Sequence, residues 1–211
     1  MTISTALHPL SRRHFEDTAR QQGFQNIAGG DEAGRGPWAG PVCAAMVILP
    51  RDYALPGLDD SKKLSRPQRR TLFELISAQA ITFGVGLAEP DEIDAINILE
   101  ATRLAFQRAF EQLSPRPDYV LLDFIKLSWL TLPSLSMAKG ESQSDSIAAA
   151  SILAKETRDR IMEAYDREYP EYGFGRHMGY GTAFHQAALR KHGTCPIHRR
   201  SFKPIKKLPA P

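Results

Sequence analysis

Asp31 and Glu32 stand side by side, directly before the glycine-punctuated stretch Ala33-Gly34-Arg35-Gly36-Pro37. Adjacent carboxylates repel one another unless a cation lies between them. Taken alone, the pair suits a solvated strand end or a helix cap as well as a metal site. Asp123 adds a third carboxylate, closing the apolar run Tyr119-Val120-Leu121-Leu122, where burial would penalise an unpaired charge. Acids at the ends of two separate strands suggest convergence on a hard cation, Mg²⁺ or Mn²⁺, which prefers oxygen ligands. Two such ions can activate a water and stabilise the departing oxygen of a phosphodiester. No paired Cys-x-x-Cys or His-Glu-x-x-His motif competes for zinc, and Cys195 with His198 is too small a ligand set.

Other residues could meet a polyanion. Gly34, Arg35 and Gly36 expose backbone that can approach a sugar-phosphate closely, though a tight turn between strands is the plainer use of such glycines. Lys62 and Lys63 lie on a loop before a helix and suit either surface charge or phosphate contact. Tyr180 lies within Met178-Gly179-Tyr180-Gly181-Thr182 and could equally be a packing aromatic. Arg199 and Arg200 fall in a segment, Tyr172 to Pro211, with eight Lys or Arg and no Asp or Glu. The preceding 171 residues carry 19 basic and 24 acidic side chains, so the net charge of +3 conceals a basic end on an acidic body. That asymmetry fits a nucleic-acid partner or a solubilising tail.

The elements that must position these residues follow from periodicity and caps. A short helix capped by Ser11 runs to Gln22, and a first strand covers Asn26 to Asp31. Pro41 to Leu49 is a nearly unbroken apolar run of strand length, which implies cover on both faces. Ser65-Arg66-Pro67-Gln68 has capping-box spacing and opens a helix to Gln79, followed by a strand at Ile81 to Ala88. A helix from Asn97 to Leu113, a strand at Asp118 to Phe124, a brief extended piece before Gly140 and a long helix from Ser144 to Glu168 come next. A glycine- and aromatic-rich loop, Tyr172 to Gly181, and a helix from Ala183 to His192 lead into the tail. Alternating strands and helices indicate an α/β sandwich with a C-terminal helical extension. Met1 to Phe15 has no hydrophobic signal core, and no apolar run is long enough to span a bilayer, so a cytoplasmic, disulfide-free protein is expected.

Asp31 to Pro37 with Ala39-Gly40-Pro41 resembles the signature of bacterial ribonuclease HII. The resemblance continues in order through Asp60-Ser61-Lys62-Lys63-Leu64-Ser65, Asn97-Ile98-Leu99, Ser146 to Lys155, Gly179-Tyr180-Gly181-Thr182 and His198-Arg199-Arg200-Ser201-Phe202. It spans Ile27 to Pro204. It implies a ribonuclease H-like mixed β-sheet flanked by helices, residues 1–171 forming the catalytic core and 172–211 a basic substrate-binding loop, helix and tail in one continuous unit. The implied activity is a two-metal-ion endonuclease, monomeric and dependent on Mn²⁺ or Mg²⁺. It would cut 5′ of ribonucleotides in RNA/DNA hybrids and at single ribonucleotides in duplex DNA, leaving 3′-hydroxyl and 5′-phosphate ends.

Residue by residue, Asp31, Glu32 and Asp123 match three of the family's four acids. The fourth is an Asp after a Lys-Gly pair, and here the pair is followed by Glu141; Asp145 is the alternative, and Glu141 is preferred because it keeps the register of the following helix. Asp123-Phe124-Ile125 replaces the family's Asp-Gly-Asn. The resemblance implies that Gly34, Arg35 and Gly36 contact the 2′-hydroxyl and phosphates, and that Tyr180 stacks on the deoxyribose after the ribonucleotide. Met178 replaces a lysine of the Tyr180 motif. Lys62 and Lys63 are implied to contact phosphates; Arg199 and Arg200 would track the duplex backbone or pair with core acids to dock the tail.

Overall fold

The structure, a computed structural model, describes residues 11–208; residues 1–10 and 209–211, with much of the expected chain start and the tail's Pro209, lie outside the described residues. The apolar run after Pro41 forms strand β2 (Val42–Ile48), buried at every position. Successive side chains on a strand point to opposite faces. Accordingly Val42, Ala44, Met46 and Ile48 enter one hydrophobic cluster, while Cys43, Ala45, Val47 and Leu49 enter another. A strand with no polar face therefore lies inside the sheet with helices above and below it.

The sheet order is β3 (Thr82–Ala88), β2, β1 (Ile27–Ala33), β4 (Tyr119–Asp123) and β5 (Ser134–Met137). β1, β2 and β3 are antiparallel neighbours, whereas β4 runs parallel to both β1 and β5. Helix α3 (Pro90–Glu111) packs on one face through Ala101, Ala105, Phe106 and Ala109. On the other face lie α2 (Arg66–Gln79) and the alanine-rich start of α4 (Asp145–Glu168). The approach is close: a Cβ on Gly29 would sit 2.1 Å from the Ser146 backbone, and one on Gly86 would sit 2.0 Å from the Ala105 carbonyl oxygen. This is the mixed sheet flanked by helices that the resemblance implies.

Boundaries shift in instructive places. Helix α1 (His14–Gln21) starts after Ser11, and β1 continues two residues past Asp31, so both acids of the pair belong to the strand. Helix α3 begins at Pro90 under a Glu89/Glu92 capping box, seven residues before Asn97. Asn97 still acts as a cap within it: its φ is +67°, and its side-chain oxygen accepts the Leu99 and Glu100 amides. Beyond α4, the expected loop holds a single turn, α5 (Phe174–His177), before α6 (Ala183–His192) and α7 (Lys203–Lys206). These elements share a third cluster with Ala39 and Met162, which docks the C-terminal segment beside the Gly34–Gly40 loop. Among the described residues no helix is long and apolar enough to cross a membrane.

Candidate active site

Strand register brings the acids together. β1 and β4 pair in parallel from Ile27 with Tyr119 to Gly30 with Leu122, so the next step along each strand sets Asp31 level with Asp123. The Gly140 amide donates to Asp123 Oδ1 at 2.8 Å, drawing in the short turn Gly140–Ser142 that carries Glu141. Lys139, at φ +57°, makes the sharp entry to that turn. Asp31 and Glu141 are buried, and Glu32 and Asp123 are partly so.

Burial and crowding decide the charge states. Asp31 is held well above the usual carboxylate range by burial, then by repulsion from Glu32 and Asp123; the Ser151 hydroxyl and the Glu32 amide, 2.7 Å from Oδ1, offset this only in part. Burial also raises Glu32, against the pull of Arg35, whose Nη1 lies 3.1 Å from Oε1. Asp123 is raised by burial, with the Glu141 carboxylate adding to it. For Glu141 burial opposes ionisation, but its own amide, the Asp123 carboxyl and Lys62 at 3.3 Å outweigh it and hold it low.

The donor set fits a hard divalent cation. Glu32 Oε2 and Glu141 Oε2 are both buried without a hydrogen-bond partner, and such oxygens are costly unless a cation satisfies them. The acids are not closed on one point: among the described residues no three His, Cys, Asp or Glu side chains are set to chelate a single ion. Glu32 turns instead to Arg35 and Glu141 to Lys62, where the chain's own cations relieve the repulsion.

Asp145 faces elsewhere. Its carboxylate accepts the Tyr53 hydroxyl at 2.6 Å and lies 3.1 Å from Arg12 Nε, while Arg12 Nη2 reaches the Glu141 carbonyl at 2.9 Å. Of the two alternatives for a fourth acid, Glu141 is the one beside Asp123.

A cleft of about 280 Å³ adjoins the acids, lined by Glu32, Gly34, Gly36, Lys62, Arg158 and Tyr180. Gly34 has φ +95°, and a Cβ there would lie 2.0 Å from Arg158 Nε, so the position requires glycine. The half-exposed Tyr180 ring stands over Gly36, with 3.5 Å between its Cε1 and a Cβ built on that glycine. Arg35 and Lys62 are exposed at the rim. Lys63 is exposed and pairs with Asp59 at 3.2 Å. Arg200 is exposed, its amide held by Asp94 at 2.7 Å.

Arg199 docks the tail, one of the two roles expected of it, but on backbone carbonyls in place of core acids. It is fully buried and donates to four carbonyl oxygens: Gly40 from Nε at 2.8 Å, Pro37 and Arg35 from Nη1 at 2.8 and 3.2 Å, and Gly34 from Nη2 at 2.6 Å. With its donors so engaged it shapes the Gly34–Gly40 loop from behind. Burial, followed by the nearby Arg158, lowers its pKa to about 9.

Arg158 was not among the sequence candidates. It donates to the carbonyls of Pro41 at 2.9 Å, Ala39 at 3.1 Å and Met178 at 3.0 Å, tying the glycine loop to the Tyr180 segment. Ser151 lies within the Ser146–Lys155 motif but was given no role of its own; its hydroxyl is 2.8 Å from that of Ser61 and supports Asp31. A signal exists for both. Ile147, Ser151, Ala154, Arg158 and Met162 form one buried stripe at helical spacing, and a polar residue on it faces the sheet rather than water.

Comparison with known proteins shows the family and the fold. The sequence model of a family described as ribonuclease HII matches residues 28–205. The ribonuclease HII of Listeria monocytogenes is 54% identical over 194 residues, covering 92% of this chain and 74% of that protein. That of Geobacter metallireducens is 54% identical over 197 residues, covering 93% and 92%. Among solved structures, ribonuclease H2 from Pyrococcus horikoshii superposes with a TM-score of 0.71 at 27% identity, over 87% of this chain and 96% of the other. A ribonuclease HIII solved with Mn²⁺ shares the fold at 20% identity, with a TM-score of 0.66 over 90% and 70%.

Proposed function

The chain belongs to the ribonuclease HII family, whose members are metal-dependent endonucleases acting on RNA/DNA, and we propose that it cuts on the 5′ side of ribonucleotides both in hybrids and at single ribonucleotides embedded in duplex DNA. The products carry 3′-hydroxyl and 5′-phosphate ends. The observation that carries this is the adjacency of the four-carboxylate cluster to a cleft floored by Gly34 and Gly36 and overhung by Tyr180.

In this proposal Asp31, Glu32, Asp123 and Glu141 hold Mn²⁺ or Mg²⁺. Bound there, the ions supply an activated water and neutralise the departing oxygen of an in-line displacement. The exposed backbone of Gly34 and Gly36 admits the sugar-phosphate, and the 2′-hydroxyl is recognised there rather than used as nucleophile. Tyr180 packs against the deoxyribose that follows the ribonucleotide. Arg35 and Lys62, which now pair with Glu32 and Glu141, turn to phosphate oxygens once those acids are neutralised. Lys63 and Arg200 lie along the duplex backbone, and the working unit is a monomer.

The test is incubation of the purified chain and Mn²⁺ with three duplexes: one with a single ribonucleotide, a continuous hybrid, and all-DNA. Cleavage at the 5′ side of the ribonucleotide, abolished by EDTA, is expected, with the all-DNA duplex intact. Cutting of the all-DNA duplex would instead indicate a general DNA nuclease with the same metal chemistry.

A further inference from the structure

Behind Tyr180 lies a buried group the proposed chemistry does not use: His177, His185, His198 and Cys195. The Cys195 amide donates to His198 Nδ1 at 2.9 Å, with the thiol Sγ 3.1 Å from the same nitrogen. The Cys195 carbonyl oxygen also lies 3.2 Å from Nδ1, but it already accepts the His198 amide at 3.1 Å, whereas the Cys195 amide can only donate and has Nδ1 as its acceptor. Nδ1 is assigned as the acceptor on that ground, and a neutral imidazole then carries its proton on Nε2. His198 Nε2 faces His185 Nε2 at 3.0 Å, so His185 must accept there and carry its own proton on Nδ1. His185 Nδ1 lies 3.0 Å from the Tyr180 carbonyl oxygen, to which it donates. A further proton on either ring would set two donors face to face.

We propose that His185 and His198 are positioning residues that aim Tyr180 through this one-directional hydrogen-bond chain from the Cys195 amide to the Tyr180 carbonyl. Burial depresses both imidazoles to about 4, so both are neutral near pH 7, as the chain requires. The Tyr180 amide is held as well, donating to the His177 carbonyl at 2.9 Å, and the His177 ring stacks on His185 with 4.6 Å between centroids. The flanking glycines permit this pinning: a Cβ on Gly179 would lie 2.5 Å from the Ala39 carbonyl oxygen, and one on Gly181 would lie 2.1 Å from the Trp38 indole. The peptide that carries Tyr180 thus has little freedom, and His185 supplies the side-chain contact that fixes its carbonyl. The inference rests on Tyr180 reading the ribonucleotide junction.

The tautomers can be observed directly by long-range ¹H–¹⁵N NMR of the histidine rings at pH 7. Neutral rings with the proton on Nδ1 of His185 and Nε2 of His198 are expected; the opposite tautomer of either, or a charged ring, overturns the proposal. Cleavage supplies the functional arm. Phe keeps the ring volume but cannot donate, so His185→Phe should lower the ratio of kcat/KM for the single-ribonucleotide duplex over that for the hybrid about tenfold, as expected for a small misplacement of a contact group. His185→Asn, whose amide nitrogen can take the place of Nδ1, should recover most of that ratio. Adding His185→Phe to Tyr180→Ala should change the ratio no further. If Tyr180→Ala alone leaves the ratio unchanged, the junction-reading role of Tyr180 fails; if Tyr180→Ala lowers it and His185→Phe does not, the positioning role fails.

Discussion

Arg199 Nη2 donates to the Gly34 carbonyl oxygen at 2.6 Å, joining residues 165 positions apart. The contact sets the tail of the chain under the loop that adjoins the acids, and three more carbonyls of that loop share the same guanidinium. Lysine concentrates its donors on one atom and cannot reach all four. Arg199→Lys should therefore leave buried carbonyls unpaired and cost roughly 3 kcal/mol, read from urea unfolding, with a loss of kcat/KM on every ribonucleotide substrate. An unfolding midpoint equal to that of the parent chain would show that the guanidinium does not brace the loop.

Glu141 and Asp145 separate by measurement. Glu141→Gln removes a carboxylate with a buried, unpartnered oxygen beside Asp123, and Mn²⁺-dependent cleavage should fall about a hundredfold or more. Asp145→Asn removes the charge opposite Arg12 and leaves one carbonyl oxygen where two now serve Arg12 and the Tyr53 hydroxyl, so stability should drop by about 1–3 kcal/mol with cleavage much less affected. Loss of cleavage in Asp145→Asn with near-normal Glu141→Gln would transfer the role to Asp145.

Much of this site could be read along the chain because strand physics forces it. An apolar strand with no polar face must be central, and acids near the C-terminal ends of two strands become neighbours when those strands pair in parallel, as Asp31 and Asp123 do. The Ser65–Gln68 capping box likewise marked the start of α2. The docking partners of Arg199 could not be read along the chain, because loop carbonyls leave no mark in side-chain types. Only the fold reveals that the Gly34–Gly40 carbonyls, lacking partners in a ladder, recruit it. Arg158, in the charged half of α4, is set apart along the chain only by its place on the stripe with Ser151 and Met162. The Cys195–His198–His185 chain joins residues whose types are common in cores, so nothing in their spacing distinguishes them.

The raised carboxyls predict a stability that depends on pH and metal. Asp31, Glu32 and Asp123 all have folded-state pKa values above their ordinary ones, so the folded chain prefers them protonated. Their contribution is favourable below the ordinary carboxylate range and is lost as pH rises through the raised values. In EDTA, these three should therefore weaken the fold at neutral pH relative to mildly acidic pH, offset in part by Glu141, whose lowered pKa acts the other way. Saturating Mn²⁺ should raise Tm more at pH 7.5 than at pH 5.5, because a cation replaces the protons the cluster would otherwise take up. Asp31→Asn should raise Tm in EDTA at pH 7.5 by roughly 2–4 °C, abolish cleavage and shrink the Mn²⁺ response. A Tm in EDTA below that of the parent chain would contradict the assignment of Asp31 as the strained member.

Phe124, next to Asp123, is 77% exposed and has φ +39°, a left-handed conformation that a bulky side chain adopts at a cost. Its amide donates to the Met137 carbonyl at 3.0 Å, so the turn is fixed by pairing of the backbone, not by burial of the ring. At an ordinary exposed site alanine is more stabilising than glycine by about 0.4–1 kcal/mol, because glycine has more unfolded conformations to lose. Here the order should reverse. Phe124→Ala keeps the Cβ and the strain, whereas Phe124→Gly releases both and should exceed the alanine variant by about 1 kcal/mol in urea unfolding. Since the ring is exposed, neither substitution forfeits much buried apolar surface, and the difference between the two variants isolates the backbone strain. If alanine proves the more stable of the pair, the turn beside Asp123 is not held left-handed in solution.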